Sequence, residues 1–443
     1  MTKQYVIALT VLLGVLSFNS CTSDDDDSSE VHDLVQTENV YLEFNQWIYA
    51  QMNHDYLWRN DMPDSLSCDY NLAPVDFYKS LLSPKDRFSY CETNNSYNPP
   101  KSENLLGYEY QLYELSDGSE FAQVLLVTNP QLRAKGLKRG DVVICQPDQG
   151  IIVRGKLGQN GVVPTDTLEA KNPLVDEQTV YLDSIYDVNS SKTGYLCYLK
   201  FNAIDDLVPV IKKFYDAGID ELILDLRYNP GGYVSTCKYL SNSIVNEKGY
   251  DGIFQQCTYN DVLTREMKRQ TGSGVSVNRF TTPDNGNNHS LGNPLYGLNL
   301  QRVFVLTSKN SASASEAAII SMQPYMDVVI IGEQTYGKGV GSWTIRDNRY
   351  KYQLQPITMR YHNALMATTP DDGLEVDYYV PDGYSTAKKE LGDIKEPLLA
   401  KALSLIAGSE SRFESTPFDD IQETTYNIKK KGLSSVSRFI VHQ

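Results

Sequence analysis

Histidine is scarce in this sequence, and so is positive charge. Five histidines occur in 443 residues (His32, His54, His289, His362, His442), with no H-E-x-x-H or H-x₃-H spacing, which speaks against a zinc hydrolase. None lies near the serine- and glycine-rich stretches described below, which disfavours a Ser-His arrangement. A formal charge of −16 leaves nothing to neutralise phosphates, so nucleic acid is excluded as a partner. The seven cysteines include no C-x-x-C, which removes cysteine metal clusters and redox motifs. Cys145, Cys197 and Cys237 sit in apolar runs and read as buried thiols, whereas Cys68 and Cys91 flank a loop-rich segment and are candidates to pair in an oxidising envelope. The N-terminal apolar run, Tyr5 to Phe18, is short for a bilayer span. No metal site and no cofactor is implied. Tyrosine is abundant, at 31 residues, which suits peptide or glycan contact as well as core packing.

What is present centres on Val303 to Gly339. Val303–Leu306 is a short buried β-run, Ala314–Met322 is small and apolar at helical spacing, Pro324 stops that helix, and Val328–Ile331 is a second β-run. A βαβ crossover makes the two strands parallel and puts both C-terminal ends on one sheet edge. Ser311, Ser313 and Ser315 leave the first strand there, and Lys338 leaves the second beside it.

That is the layout of a Ser/Lys nucleophilic site. A serine hydroxyl needs a base to take its proton, and lysine serves only when neutral. At an ordinary pKa roughly a tenth of a percent is neutral near pH 7.5, whereas burial can bring the pKa to about 7–8. Gly337 and Gly339 permit a tight backbone path, and Tyr336 and Trp343 are available as a dry wall. Ser313 would sit at a helix N-terminus, where free N–H groups favour a developing oxyanion. Each part also has a plain structural reading. Ser313-x-x-Glu316 is a capping box, and a lysine between glycines is commonly an exposed turn residue. A third stretch, Glu221–Val234, favours chemistry: a strand, then the sharp turn Asn229-Pro230-Gly231-Gly232, then a helical pattern. The glycines could aim a bare N–H at a carbonyl or simply serve a tight turn.

Three motifs, in this order, resemble the tail-specific, or C-terminal processing, serine peptidase family: Asp225-Leu226-Arg227-x-Asn229-x-Gly231-Gly232, Ser311-Ala312-Ser313-Ala314-Ser315-Glu316 and Gly337-Lys338-Gly339. Ser313 and Lys338 are 25 positions apart, as in that family. The resemblance implies an α/β fold with a crotonase-like ββα core, Ser313 as nucleophile, Lys338 as general base, and the backbone N–H groups of Gly232 and Ala314 as the oxyanion hole. Asp225 and Arg227 would brace the turn. Where the family often has a lysine-orienting glutamine four residues on, this sequence has Ser342, a possible third member.

Organisation follows from the same reading. Residues 1–20 form a signal segment ending before Cys21, which resembles a lipid-modified lipoprotein cysteine, with Phe18 in place of the usual leucine. The acidic run after Cys21 resembles Bacteroidetes-type lipoproteins; an ordinary secretory signal is the alternative. Residues 21–30 are a tether and 31–95 a small helical N-terminal domain, with an apolar face of Val40, Phe44, Trp47, Ile48 and Met52 starting from a cap at Thr37. Residues 102–185 resemble a PDZ-like module, with Leu105-Leu106-Gly107-Tyr108 as its carboxylate-binding loop and Gly136–Val143 as the turn and strand after its short helix. Such a module holds peptides, or persists as a lid that only contacts the core. Residues 186–408 are the peptidase core. Within it, Tyr250–Leu300 is a long irregular insertion, read as a flap or loop, and Gly373–Asp377 resembles the family's closing motif without its proline. Residues 409–443 read as a polar tail without a role.

The expectation is a lipid-anchored envelope endopeptidase acting on polypeptides, at the outer membrane on its periplasmic or surface side. The alternative is an inactive peptide- or glycan-binding lipoprotein of the same fold. Oligomeric state is not legible.

Overall fold

The computed structural model describes residues 41–93, 107–146, 150–158, 161–169, 178–286, 292–346, 349, 352–408 and 428–430. The signal segment, Cys21, Thr37, Val40 and the loop residues Leu105 and Leu106 lie outside them. Among the described residues no helix is long and apolar enough to cross a membrane.

The strand-helix-strand pattern around Ser313 folds as its periodicity predicts. Arg302–Thr307 and Asp327–Gly332 are parallel neighbours, in register Val303↔Val328 to Leu306↔Ile331, and Ala314–Met322 is the crossover helix. They lie in a six-stranded sheet, in the order Tyr378–Tyr379, Asp327–Gly332, Arg302–Thr307, Glu221–Asp225, Ser191–Tyr198, Val180–Val188. All neighbours are parallel except the last pair. Strand alternation divides the core in two. Leu196, Leu222, Leu224, Val303, Val305 and Ile330 face the helices Val208–Ala217, Val234–Ile244 and Ala314–Met322. Tyr195, Cys197, Ile223, Phe304, Leu306 and Ile331 face the helix Pro397–Ala407. Both faces are thus covered, as a parallel sheet requires.

The insertion is more ordered than its composition suggests. Ile253–Tyr259, the helix Asp261–Thr271 and Ser276–Arg279 form within Tyr250–Leu300. Two of these strands build a second sheet with Ile357–His362 and Val340–Ser342, the strand that follows Lys338. The reading as an irregular flap is corrected. Phe254 and Cys257 are both buried although three positions apart, with a register shift near Phe254 that blurs the period-2 pattern, and Asn260, whose Oδ1 accepts from Leu263 N–H at 2.9 Å, starts the helix.

In the N-terminal part, the first helix runs Leu42–Asp55 and buries Phe44, Ile48 and Met52, followed by Pro74–Ser80. These helices pack on Leu354 of a small sheet formed by Tyr90–Thr93, Tyr352–Gln355 and Ile345–Arg346. Cys68 and Cys91 do not pair: both are free thiols, and burial pushes the Cys91 thiol up to about 12.

Residues 107–169 form an antiparallel sheet in the order Tyr108–Glu114, Glu120–Val127, Val142–Gln146, Ile151–Gly158, Gly161–Glu169. A short helix, Pro130–Ala134, is capped by Asn129. A sixth strand, Lys429–Lys430, pairs with Tyr108–Glu114. Part of the supposed tail is therefore built into this sheet. Two residues are too few for a period-2 pattern to show in the sequence.

Candidate active site

Three turns leave adjacent parallel strands at their carboxyl ends: Leu226–Gly232, Ser308–Ser313 and Glu333–Lys338. Side chains and backbone lock the first two together. Ser311 Oγ donates to Leu226 O (2.8 Å), Ser315 Oγ donates to Asn229 O (2.8 Å), and Ala312 N–H donates to the same carbonyl (3.2 Å). Asn229 folds its own turn by accepting from Gly231 N–H at 2.9 Å and donating to Tyr198 O at 3.0 Å. Of the three serines on this rim, the two flanking ones are buried structural ties. Ser313 between them is half-buried.

Ser313 has φ 55° and ψ −111°, a conformation that costs a residue with a Cβ of order 1–3 kcal/mol. What holds it there is the buried carboxylate of Glu316. Oε2 accepts from the N–H of Ser313 (2.9 Å) and of Lys338 (2.8 Å). Oε1 accepts from Gly337 N–H (2.7 Å) and the Thr335 hydroxyl (2.6 Å). One oxygen thus ties the backbone of Ser313 to that of Lys338, and the two nitrogens lie within the sum of those two short bonds. Tyr336 N–H donates to Ser311 O at 3.0 Å and adds a second tie between the turns. Burial raises the Glu316 carboxyl pKa against the lowering effect of these donors. The Ser-x-x-Glu pattern signalled a helix cap; that the carboxylate also gathers the lysine turn was not legible, because it depends on a strand 20 residues away.

Lys338 is 4% exposed, and burial brings its pKa down to about 8, with the Glu316 charge opposing the shift. The Phe88 ring lies 5.2 Å from Nζ. Phe88 comes from the N-terminal part, and so does Arg87, whose Nη2 donates to Gly337 O (2.8 Å) and Asp371 O (2.7 Å). Sequence reasoning missed both, because they lie some 250 residues from the lysine turn. Trp343, expected as the dry wall, packs instead against Tyr259, while Tyr336 lies beside Phe88. Gly337 is required as glycine: at φ 91°, a Cβ would meet Asp371 O at 2.3 Å.

Gly232 is the second such position. It has φ 139°, and a Cβ would meet Phe201 O at 2.2 Å. Phe201 bonds Gly231 O (2.9 Å) and Tyr233 N–H (2.7 Å), so the N–H of Gly232 turns to the opposite side. Ala314 is the first residue of the serine helix, whose N–H has no intrahelical acceptor. Asp225 and Arg227 brace the turn from below. Arg227, fully buried, spans from Asp225 to Glu396, to which Nη1 and Nη2 donate at 2.6 and 2.9 Å.

The other candidate residues have partners of their own. Ser342 lies on Val340–Ser342, where its Oγ accepts from Gln355 Nε2 at 2.8 Å. Gly107, at φ 71°, has a carbonyl that accepts from Thr128 and Asn129 N–H, and Tyr108, buried, starts the strand behind it. Among the described residues no cluster of histidine, cysteine or carboxylates could hold a metal. His362 is bonded to Thr258 and Met366 O, and His54 to Asp55 and Glu266.

Comparison with known proteins converges on one family. Residues 192–380 match Peptidase family S41, and residues 43–90 match the Peptidase S41 N-terminal domain. A CtpA-like serine protease of Staphylococcus epidermidis is 23% identical over 359 residues, covering 76% of this chain and 66% of its own length. One from Staphylococcus aureus is 22% identical, covering 71% and 60%. The chain thus spans less than two thirds of the length of these relatives. A Bacteroides fragilis structure assigned as an S41 protease superposes with a TM-score of 0.67 at 26% identity, covering 82% of this chain and 97% of that one. The photosystem II D1 C-terminal processing protease shares the fold at a TM-score of 0.50 and 15% identity, covering 84% and 99%. With both matched regions meeting at the lysine turn, this chain belongs to peptidase family S41.

Proposed function

We propose that this chain is a serine endopeptidase acting on polypeptides through Ser313 and Lys338. The observation that carries this reading is the Glu316 carboxylate, which binds the backbone of a strained, half-buried serine and of a buried lysine through one oxygen. With a pKa of about 8, roughly a quarter of Lys338 is neutral at pH 7.5, about two hundred times the share at an ordinary lysine pKa. In the proposed reaction neutral Nζ takes the Ser313 hydroxyl proton as Oγ adds to the scissile carbonyl. The N–H groups of Gly232 and Ala314 receive the oxyanion. Nζ then returns the proton to the leaving amine as the C–N bond breaks, and water attacks the acyl-enzyme by the same route.

The wider architecture fits this reading as a crotonase-like core, residues 186–408, with a PDZ-like module at 102–185 and a helical domain at 31–95. Ser342, held by Gln355, is the proposed third polar group near the lysine. The acidic run after Cys21 supports a lipid anchor at the cell envelope, which incorporation of labelled palmitate into wild type but not Cys21→Ala would test.

The decisive experiment incubates an unstructured protein such as casein with wild type, Ser313→Ala and Lys338→Ala. Cleavage by wild type alone is expected. Unchanged cleavage in either variant contradicts the assignment, and inactivity of all three supports the peptide-binding alternative.

A further inference from the structure

The sheet of residues 107–169 begins with Tyr108–Glu114. One edge of that strand pairs with Glu120–Val127. The other would stand open, offering a row of main-chain donors and acceptors to any extended chain. Here it is covered by the protein itself. Lys429 and Lys430 pair antiparallel with Glu114 and Tyr113. The preceding Ile428 is 8% exposed and packs into a cluster with Tyr113, Leu115, Phe121, Val142 and Tyr384. Lys430 Nζ lies 3.5 Å from Glu333 Oε2. Glu333 opens the turn that leads to Lys338, and its N–H donates to Thr307 O at 3.1 Å. Three residues therefore join the sheet edge, the segment around Tyr384 and the foot of the lysine turn.

The direction matters. Antiparallel pairing points the segment from Glu114 back towards Tyr108 and Gly107. That is the orientation in which an extended polypeptide adds to an edge strand with its C-terminus towards the opening of that strand. The chain supplies both parts of such a contact: main-chain pairing, and one apolar side chain in a pocket.

We propose that residues 428–430 are an internal strand occupying the edge at which an extended polypeptide would dock, so that a polypeptide engages this sheet only by displacing them. The functional consequence rests on the peptidase reading, with the docked polypeptide as substrate; the binding competition itself does not. Two lysines and one isoleucine form a small contact, suited to exchange rather than permanent closure. Its displacement would also release Lys430 from Glu333.

The test uses the full chain in a Ser313→Ala background, so that no probe is cut. A fluorescent peptide carrying residues 424–434 is titrated into this protein and into its Ile428→Asp and Lys430→Pro derivatives. The second substitution removes a main-chain donor without placing a charge beside the apolar cluster. The peptide is expected to bind both derivatives at least about tenfold tighter than the parent, a gain of ~1.4 kcal/mol. Amide exchange at Tyr113 and its strand neighbours should accelerate in the derivatives and slow again when peptide is added. Equal affinity in all three proteins, or unchanged exchange along Tyr108–Glu114 in both derivatives, overturns the proposal. Failure of the peptidase reading would appear separately, as absence of cleavage by the Ser313 chain while the binding arms still respond.

Discussion

Two buried lysines in this protein have pKa values brought down to about 8, and they sit in different surroundings. Lys338, beside the serine helix, lies under the Phe88 ring, and the nearby Glu316 carboxylate is occupied with backbone N–H groups and a hydroxyl. Lys388 is as deeply buried, but its Nζ is 2.7 Å from Asp382, which also receives Arg139 Nη2 at 2.8 Å. Arg139 in turn binds Leu125 O, Lys389 O and the Tyr228 hydroxyl, so that cluster holds the sheet of residues 107–169 against the core. Burial causes the depression in both cases. A lowered pKa therefore does not mark a catalytic base by itself. What separates the two is the company: a strained serine for one, a carboxylate between two cations for the other.

The largest test of this contrast is deletion. Lys338→Ala or Ser313→Ala should lower kcat/KM on casein by at least about 10³-fold, since neither member works without the other. Lys388→Met should instead leave the pH dependence of cleavage unchanged and cost of order 3 kcal/mol of stability, because it strips a partner from a buried carboxylate. Denaturant unfolding and the pH profile separate the two outcomes.

Both lysines should make stability rise with pH, because each has a folded pKa below its unfolded value. The folded pKa of Lys338 lies below its unfolded value of about 10.5, so the unfolded chain binds more protons between pH 8 and 10.5 and stability rises with pH across that window. Lys338→Met should therefore stabilise the fold near pH 7 by up to ~3 kcal/mol, with the gain vanishing above pH 10.5. Thermal or urea unfolding at pH 7 and pH 10.5 checks it.

Glu316→Gln sharpens the comparison further. A single amide oxygen cannot serve all four donors, so kcat should fall about 10–100-fold with KM nearly unchanged. Because the Glu316 charge raises the Lys338 pKa, the alkaline-rising limb of the rate should also move below pH 8. The smallest effect is expected from Phe88→Leu. It keeps the amine under an apolar cover and should cost less than about fivefold in rate at pH 7.5, whereas Phe88→Ala should move the limb back towards ordinary lysine values.

The parts of the fold carried by local pattern were legible in the sequence. The serine crossover, its parallel partners and the helix Pro397–Ala407 follow from short apolar runs, helical spacing and proline punctuation. The candidate site was legible as far as it lies in motifs, including the glycines whose missing Cβ makes room for Phe201 O and Asp371 O. Contacts assembled from distant segments were not. Phe88 and Arg87 reach the lysine turn across some 250 residues, and Glu316 looks locally like a cap. The strand Lys429–Lys430 is too short to declare itself, and Tyr250–Leu300 hid its strands behind glycine- and asparagine-rich turns.

The most direct measurement is the rate at which a fluorophosphonate probe labels Ser313, followed between pH 6 and 10 in wild type and in Lys338→Ala. The account predicts labelling in wild type that rises with a midpoint near pH 8, and a collapse of labelling at every pH in the variant. Labelling that is independent of pH through this range, or that survives loss of the lysine, would contradict it.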